Sequence, residues 1–320
     1  MNMNQKIFLT SSILITIIAL VLTSYTLTDS QPSNKLKIVT TFYPITYLTQ
    51  QIGGDYVEIT QLMPNNTDIH SWEPSVSHIR AAEEANLIFY NGAGADHWVE
   101  EDILPALKNS NNKLIVKTTQ NLNLTQNCEP NHPTDDHQHD LYDPHTWISP
   151  YMAKQQAENI YNTLITTNPQ HENYYTKNWH HLKQQLEQID TTYLQELSNT
   201  DKNTIFVSHE AFGYLALRYG FTQHGVIGLS ADQQPSITTI KNIVNTMQEH
   251  QTYTLYFDPV YSDKYLQTIK TEVQTKTGQP VTILKLYLMT GPIDGLDYLE
   301  QMQTNLTNLQ TGLKTTYKVK

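Results

Sequence analysis

Three histidines stand where they could bind a metal ion. His70 lies in MPNNTDIHSWEPS, just past an apolar run that ends near Met63. His145 lies in YDPHTWISP, ahead of a helix expected from Pro150, and His209 closes the run NTIFVSH. Neutral imidazole is a borderline-soft nitrogen donor that suits zinc. Three such donors leave the full charge on the ion, so a carboxylate or a water should complete the shell. The competing reading for each is a hydrogen-bonded loop histidine, the commoner role for any one of the chain's 13. Cys128 is the single cysteine, which excludes an intrachain disulfide and a thiolate zinc cluster. Metal binding would therefore fall to His, Asp and Glu.

The stretch DDHQHDLYDPHTW, Asp135 to Trp147, adds His137 and His139 close to His145. These could form one metal site, or a loose loop beside a separate ordered ligand, or a solvated loop with no role. The span CEPNHPTDDHQHD, 128–140, is polar and carries two prolines, so it cannot build a core.

Positioning these groups requires a scaffold. Apolar, β-branched runs alternate with helical patterns, which predicts βα units. Strands are expected at Lys35–Phe42, Tyr56–Met63, Asn86–Gly92 and Lys113–Thr118, then at Asn203–Ser208, Thr222–Gly228, Tyr253–Phe257 and Pro280–Leu286. Helices fall between them, as at Pro74–Ala85 and Ser236–Glu249. Between Pro169 and Ser198 there is no further Gly or Pro. Trp179, Leu182, Leu186, Ile189, Tyr193 and Leu197 recur there at three- and four-residue steps, which predicts one long amphipathic helix. The fold class is thus α/β, with two Rossmann-like lobes, 35–165 and 203–320, joined by a long helix over 168–199. Tyr298, Met302, Leu306, Leu309 and Leu313 mark the packing face of a last helix. Ligands of open α/β sheets bind beyond the carboxyl ends of strands, so a cleft between facing lobes is the expected place for a metal.

The ends and the charge narrow the function. Lys6 precedes the apolar run Ile7–Leu22, and polar residues follow. Residues 1–29 read as a secretory signal or an uncleaved signal-anchor, the run being short for a span of about 20 residues. The mature chain is then extracytoplasmic. A net charge of -11 argues against nucleic acid, which needs a basic face.

Four motifs carry a family resemblance. TTFYPITYLTQQIGGDYVEITQLMPNNTDIHSWEPSVSHIRAAEEANLIFYNGAGADHWVEEDI resembles the first lobe of the zinc- and manganese-binding receptor proteins of ABC transporters. YDPHTWISPYMAKQQAENIYNTL, VSHEAFGYLALRYGFTQHGVIGLSADQQPS and LYFDPVYSDKYLQTI are similar to later motifs of that family, in the same order. The likeness runs from about Lys37 to Leu313. It implies two α/β lobes joined by a long helix, one ion between them, and His70, His145 and His209 as its ligands. Manganese members typically have glutamate at the position of His209, so the zinc members are the better match. Three imidazoles agree, because manganese prefers more oxygen donors.

One departure stands out. Many members have an aspartate ligand where this chain reads LKLYLMTGP, with Met289 at the corresponding position. Water could fill the fourth place, Asp294 could reach in from a shifted loop, or Met289 could approach the ion. Zinc members often carry a His-rich loop at the location of 129–140. That resemblance suggests auxiliary metal binding by His132, His137 and His139. Glu210, Asp143 and Asp68 are the neighbours that could orient the ligating rings. Trp72, Trp98 and Trp147 read as lobe packing, against a role in shaping the cleft. The function implied is capture of Zn(II) and delivery to the membrane permease of an ABC transporter, by a monomer that is not an enzyme. The alternatives are a manganese receptor and, from another class, a three-His zinc hydrolase. An H-E-x-x-H helix is missing from the sequence, which disfavours the hydrolase.

Overall fold

A computed structural model describes residues 35–108, 113–126, 142–228 and 235–313. The leader expected over 1–29, Cys128 and the histidines His132, His137 and His139 lie outside the described residues.

Two four-stranded parallel sheets organise the chain. The first contains β1 (Leu36–Thr40), β2 (Val57–Gln61), β3 (Leu87–Tyr90) and β4 (Leu114–Lys117), in the order β2-β1-β3-β4. The second contains β5 (Thr204–His209), β6 (Thr222–Ile227), β7 (Thr254–Phe257) and β8 (Thr282–Lys285), in the order β6-β5-β7-β8. The same order recurs, so each lobe has a switch point beside its first strand, β1 or β5, where successive crossovers leave in opposite directions. Loops at the carboxyl ends diverge there and open a crevice. The strands sit where the apolar runs placed them, one to two residues shorter at most ends. All residues of β3 and β5 are buried, as expected of inner parallel strands covered on both faces.

Helices α1 (Tyr43–Gly53) and α2 (Val76–Glu84) belong to the first lobe. Next come α3 (Pro150–Thr167) and α4 (Glu172–Glu196). Then come α5 (Gly213–Tyr219), α6 (Ile237–Glu249), α7 (Lys264–Thr277) and α8 (Tyr298–Leu313). The long helix α4 buries Tyr175, Trp179, Leu182, Leu186, Ile189 and Tyr193, spaced four and three apart. A 3₁₀ turn at Pro169–His171 starts it, proline being compatible with a first turn. At about 1.5 Å per residue it runs roughly 37 Å.

This helix joins the lobes and is also packed along its length. It lies against α3 and α1 of the first lobe and α8 of the second. One apolar cluster contains Ile38 and Phe89 of the first sheet, Leu186 of α4, and Val207 and Tyr256 of the second sheet. Polar ties add direction. The Arg218 guanidinium forks onto Asp190 of α4 and lies 3.8 Å from the Tyr151 ring centre on α3. Tyr193 donates to the Met302 carbonyl of α8 at 2.6 Å. The Trp147 indole donates to the Leu288 carbonyl at 2.8 Å, and the Tyr298 hydroxyl donates to the Trp147 carbonyl. These bonds fix the loops of the first lobe against those of the second.

Candidate metal centre

The structure brings His70, His145 and His209 together. One ring nitrogen from each lies within 4.8 Å of the other two. The Nε2 atoms of His70 and His145 are 3.3 Å apart. Two nitrogens held tetrahedrally at ordinary zinc distances would be separated by about 3.3 Å, so the spacing fits a shared ion. The ring centres are 5.3 Å (His70–His145), 5.7 Å (His70–His209) and 5.1 Å (His145–His209) apart. His145 and His209 are buried at 1% and 3% exposure, whereas His70 is only partly covered.

Each histidine is set by local chemistry. His209 is the last residue of β5, so the parallel sheet itself aims it at the crevice. His70 and His145 share a device: an aspartate two residues earlier accepts the histidine's backbone N–H. Asp68 Oδ1 does this for His70 and Asp143 Oδ1 for His145, both at 2.9 Å. Asp143 Oδ1 also lies 2.9 Å from His145 Nδ1, which leaves Nε2 directed at the shared point. Of the three carboxylates singled out in sequence, Asp143 bonds one of the three imidazoles. Glu210 Oε1 accepts the Gly225 N–H at 2.8 Å.

The turn carrying His145 is clamped from below by a polar network that sequence reasoning missed. Asn91 Nδ2 donates to the Pro144 carbonyl at 3.1 Å, and Asn91 Oδ1 accepts from Thr146 and Gln156. Asp96 holds the Asn91 and Gly92 N–H groups, at 2.7 and 2.8 Å. Asp258 was also missed. Its carboxylate accepts the N–H groups of Leu288 and Val260 and so fixes the backbone beside Met289. The available signal was an Asn, Gln or Asp inside an otherwise buried pattern.

The fourth-ligand candidates fare differently. Asp294 does not join the three imidazoles. Its carboxylate binds Lys285 at 2.5 Å and the Tyr287 hydroxyl at 2.7 Å, with the side chain 40% exposed. Lys285, then Tyr287, hold that carboxyl below its usual range. Met289 is buried in the shared apolar cluster, with φ of 60°, a left-handed backbone position. Among the tryptophans, Trp98 and Trp147 are buried. Trp72 packs edge-on against Trp98 and lines the cavity beside His70.

Burial dominates the electrostatics. It pushes the His145 imidazole down to about 3 and the Asp143 carboxyl up to about 7. It also drives His70 well below its ordinary value, with the neighbouring His145 and His209 adding to the effect. Bare charge is disfavoured here, so neutral rings face one another and are ready to donate lone pairs.

Gly213 makes this geometry depend on the second lobe. It begins α5, and a Cβ there would sit 2.4 Å from Asp143 Oδ2. Gly213→Ala is expected to displace the carboxylate from His145 and to weaken zinc binding by about 10- to 100-fold, the usual cost of losing such support. Competition with a chelating dye measures it.

The family model described as "Zinc-uptake complex component A periplasmic" matches residues 38–312. The high-affinity zinc uptake system protein ZnuA of Bacillus subtilis (strain 168) is 30% identical over 288 residues, covering 88% of both chains. The zinc-binding lipoprotein AdcA of Streptococcus pneumoniae (strain ATCC BAA-255 / R6) is 29% identical over 286 residues, which span 88% of this chain but 56% of AdcA. Among solved structures, the laminin binding protein Lmb of Streptococcus agalactiae is described as bifunctional, with adhesin and metal transporting activity. It superposes with a TM-score of 0.75 at 28% identity, over 87% of this chain and 99% of its own. The Zn(II)-bound ZnuA-like domain of S. pneumoniae AdcA gives 0.72 at 26% identity, over 88% and 100%.

Proposed function

This chain belongs to the family of periplasmic zinc-uptake complex component A, and from that we propose that it is an extracytoplasmic receptor for Zn(II). It captures the ion between its lobes on His70, His145 and His209 and delivers it, as a monomer, to the permease of an ABC transporter. The family is one of transport receptors rather than enzymes. The observation that carries the reading is the convergence of three imidazole nitrogens from two lobes on one point. Three nitrogen donors favour zinc over manganese. With Asp294 engaged elsewhere, water is the fourth donor.

Affinity arises because the cleft supplies fixed, neutral donors, and their convergence is held by bonds made before the ion arrives. His145 and His209 form the buried floor, and His70 closes the site from the partly covered side. His70 is therefore the ligand that engages first and leaves last.

The pH dependence tests this account. Each ligating ring must be neutral. Ordinary imidazoles would protonate below about 6.5, and three of them would steepen the loss of affinity toward a thousandfold per pH unit. Burial removes that competition from His145 and His70. Asp143 has the opposite sign. Its carboxyl is raised to about 7 and keeps a proton in the metal-free site below that pH. The bound ion favours the Nδ1–H···carboxylate arrangement, so binding must expel that proton. Affinity is therefore expected to lose about tenfold per unit below pH 7 through the Asp143 proton, far short of the thousandfold of three ordinary rings. Zinc titrations between pH 5 and 8 measure the slope. A slope near three overturns the buried-imidazole account, and no slope overturns the proton assigned to Asp143.

A further inference from the structure

Beside His70 lies a cavity of about 770 Å³. His70, Trp72, Glu73, His97, Glu101 and Asp102 are among its lining residues. His97 sits at the head of a five-residue π-helical turn, Val99–Ile103, that contains Glu101. Such wide turns are rare and recur at functional sites. His97 Nε2 and Glu101 Oε2 are 4.0 Å apart, and the two side chains are 35% and 46% exposed. Glu100, in the same turn, serves the fold by binding Lys117 and Tyr90.

We propose that His97 and Glu101 are a staging pair for the divalent cation, which they hold transiently at the cavity mouth before it passes to His70 and on to the buried imidazoles. The inference rests on the zinc-receptor reading of the three histidines. An imidazole nitrogen and a carboxylate oxygen are both zinc donors, with bonds near 2.0–2.2 Å. Two atoms 4.0 Å apart can close on one ion by small side-chain rotations. Two donors leave most of the shell to water, so residence is short and exchange fast. Glu73 and Asp102 make the mouth acidic, which raises the local cation concentration. Only His70 of the three ligands lines this cavity, so an ion arriving here meets His97 and Glu101 near the one ligand it can reach. Replacing waters in two stages, first by this pair and then by the three rings, lowers the barrier to dehydration.

A group that assists passage but is not a ligand of the final complex must change entry and exit equally. This gives the test. Zinc association and chelator-driven dissociation are followed by stopped flow on the full chain, comparing the wild type with the double variant His97→Asn/Glu101→Gln. Both rates are expected to fall about tenfold, a modest share of what cavity steering can supply, with Kd unchanged within about twofold. Unchanged rates overturn the proposal. So does a raised Kd through faster release alone, because the pair would then belong to the final site. Glu73→Gln removes the same charge from the same cavity and is expected to slow entry far less. Equal slowing would assign the effect to net charge and overturn the pair. Thermal melting of His97→Asn and Glu101→Gln singly verifies that each folds. His70→Ala separates the two readings: if it binds zinc like the wild type, the three-histidine site fails, whatever the staging variants do.

Discussion

His145→Ala is expected to reduce zinc affinity by well over 100-fold while leaving a folded chain. Losing a hydrogen bond that merely supports a metal ligand costs about 10- to 100-fold, and losing the ligand itself must cost more. The site cannot compensate. His145 is 1% exposed, and Asp143 and Asn91 hold its turn from both sides. No other His, Cys, Asp or Glu among the described residues joins the cluster. The vacated space is lined by a carboxyl already raised to about 7 by burial, so it stays neutral over much of the accessible range and does not force the fold open. Competition with a chelator of known affinity measures the loss. A tenfold effect or less would mean that the ion's main ligands lie elsewhere.

Trp147→Ala is expected to be the largest stability change near the site, about 3–5 kcal/mol. Its ring is buried at 1% exposure and packs edge-to-face on Phe42 with centres 4.8 Å apart. Its indole N–H also satisfies the Leu288 carbonyl from the second lobe. Truncation therefore opens a cavity and orphans a buried acceptor together. Trp147→Phe separates these terms, because it keeps most of the volume and loses only the donor. An unsatisfied buried group costs about 1–3 kcal/mol, so Phe is expected to fall between wild type and Ala. Urea denaturation with and without zinc reads both. The zinc-dependent increment should shrink in the Ala variant, since Trp147 is two residues from His145 and ties its turn to the opposite lobe. Equal stability of Phe and Ala would assign the effect to the hydrogen bond alone.

Much of this was legible in the chain. Parallel inner strands bury both faces, so LIFY and TIFVSH stand out as unbroken runs. The stripe from Trp179 to Tyr193 gives α4 because one helical face must pack. The three histidines were readable because each follows a predicted strand or precedes a predicted helix, and strand ends set direction without long-range information. Other features are set by contacts that no local pattern announces. Asp294 is one candidate for the fourth place on the ion, and the structure engages it with Lys285 and Tyr287, nine and seven residues before it. Asn91 and Gln156 are 65 positions apart, and no local pattern announces that they share a buried network under Pro144. Gly213 looks like an ordinary helix start until Asp143 is placed against it. The packing of α4 against both lobes likewise needed the tertiary structure, because an amphipathic stripe shows that a face is covered and not by what.

X-ray absorption at the zinc edge of the one-to-one complex tests the central claim most directly. The account predicts a four-coordinate ion with three imidazole nitrogens at about 2.0–2.1 Å and one oxygen. It also predicts loss of an imidazole contribution in each of His70→Ala, His145→Ala and His209→Ala. A sulfur scatterer near 2.3 Å, which would bring in Met289, or an oxygen-dominated shell with fewer than three imidazoles, would contradict it.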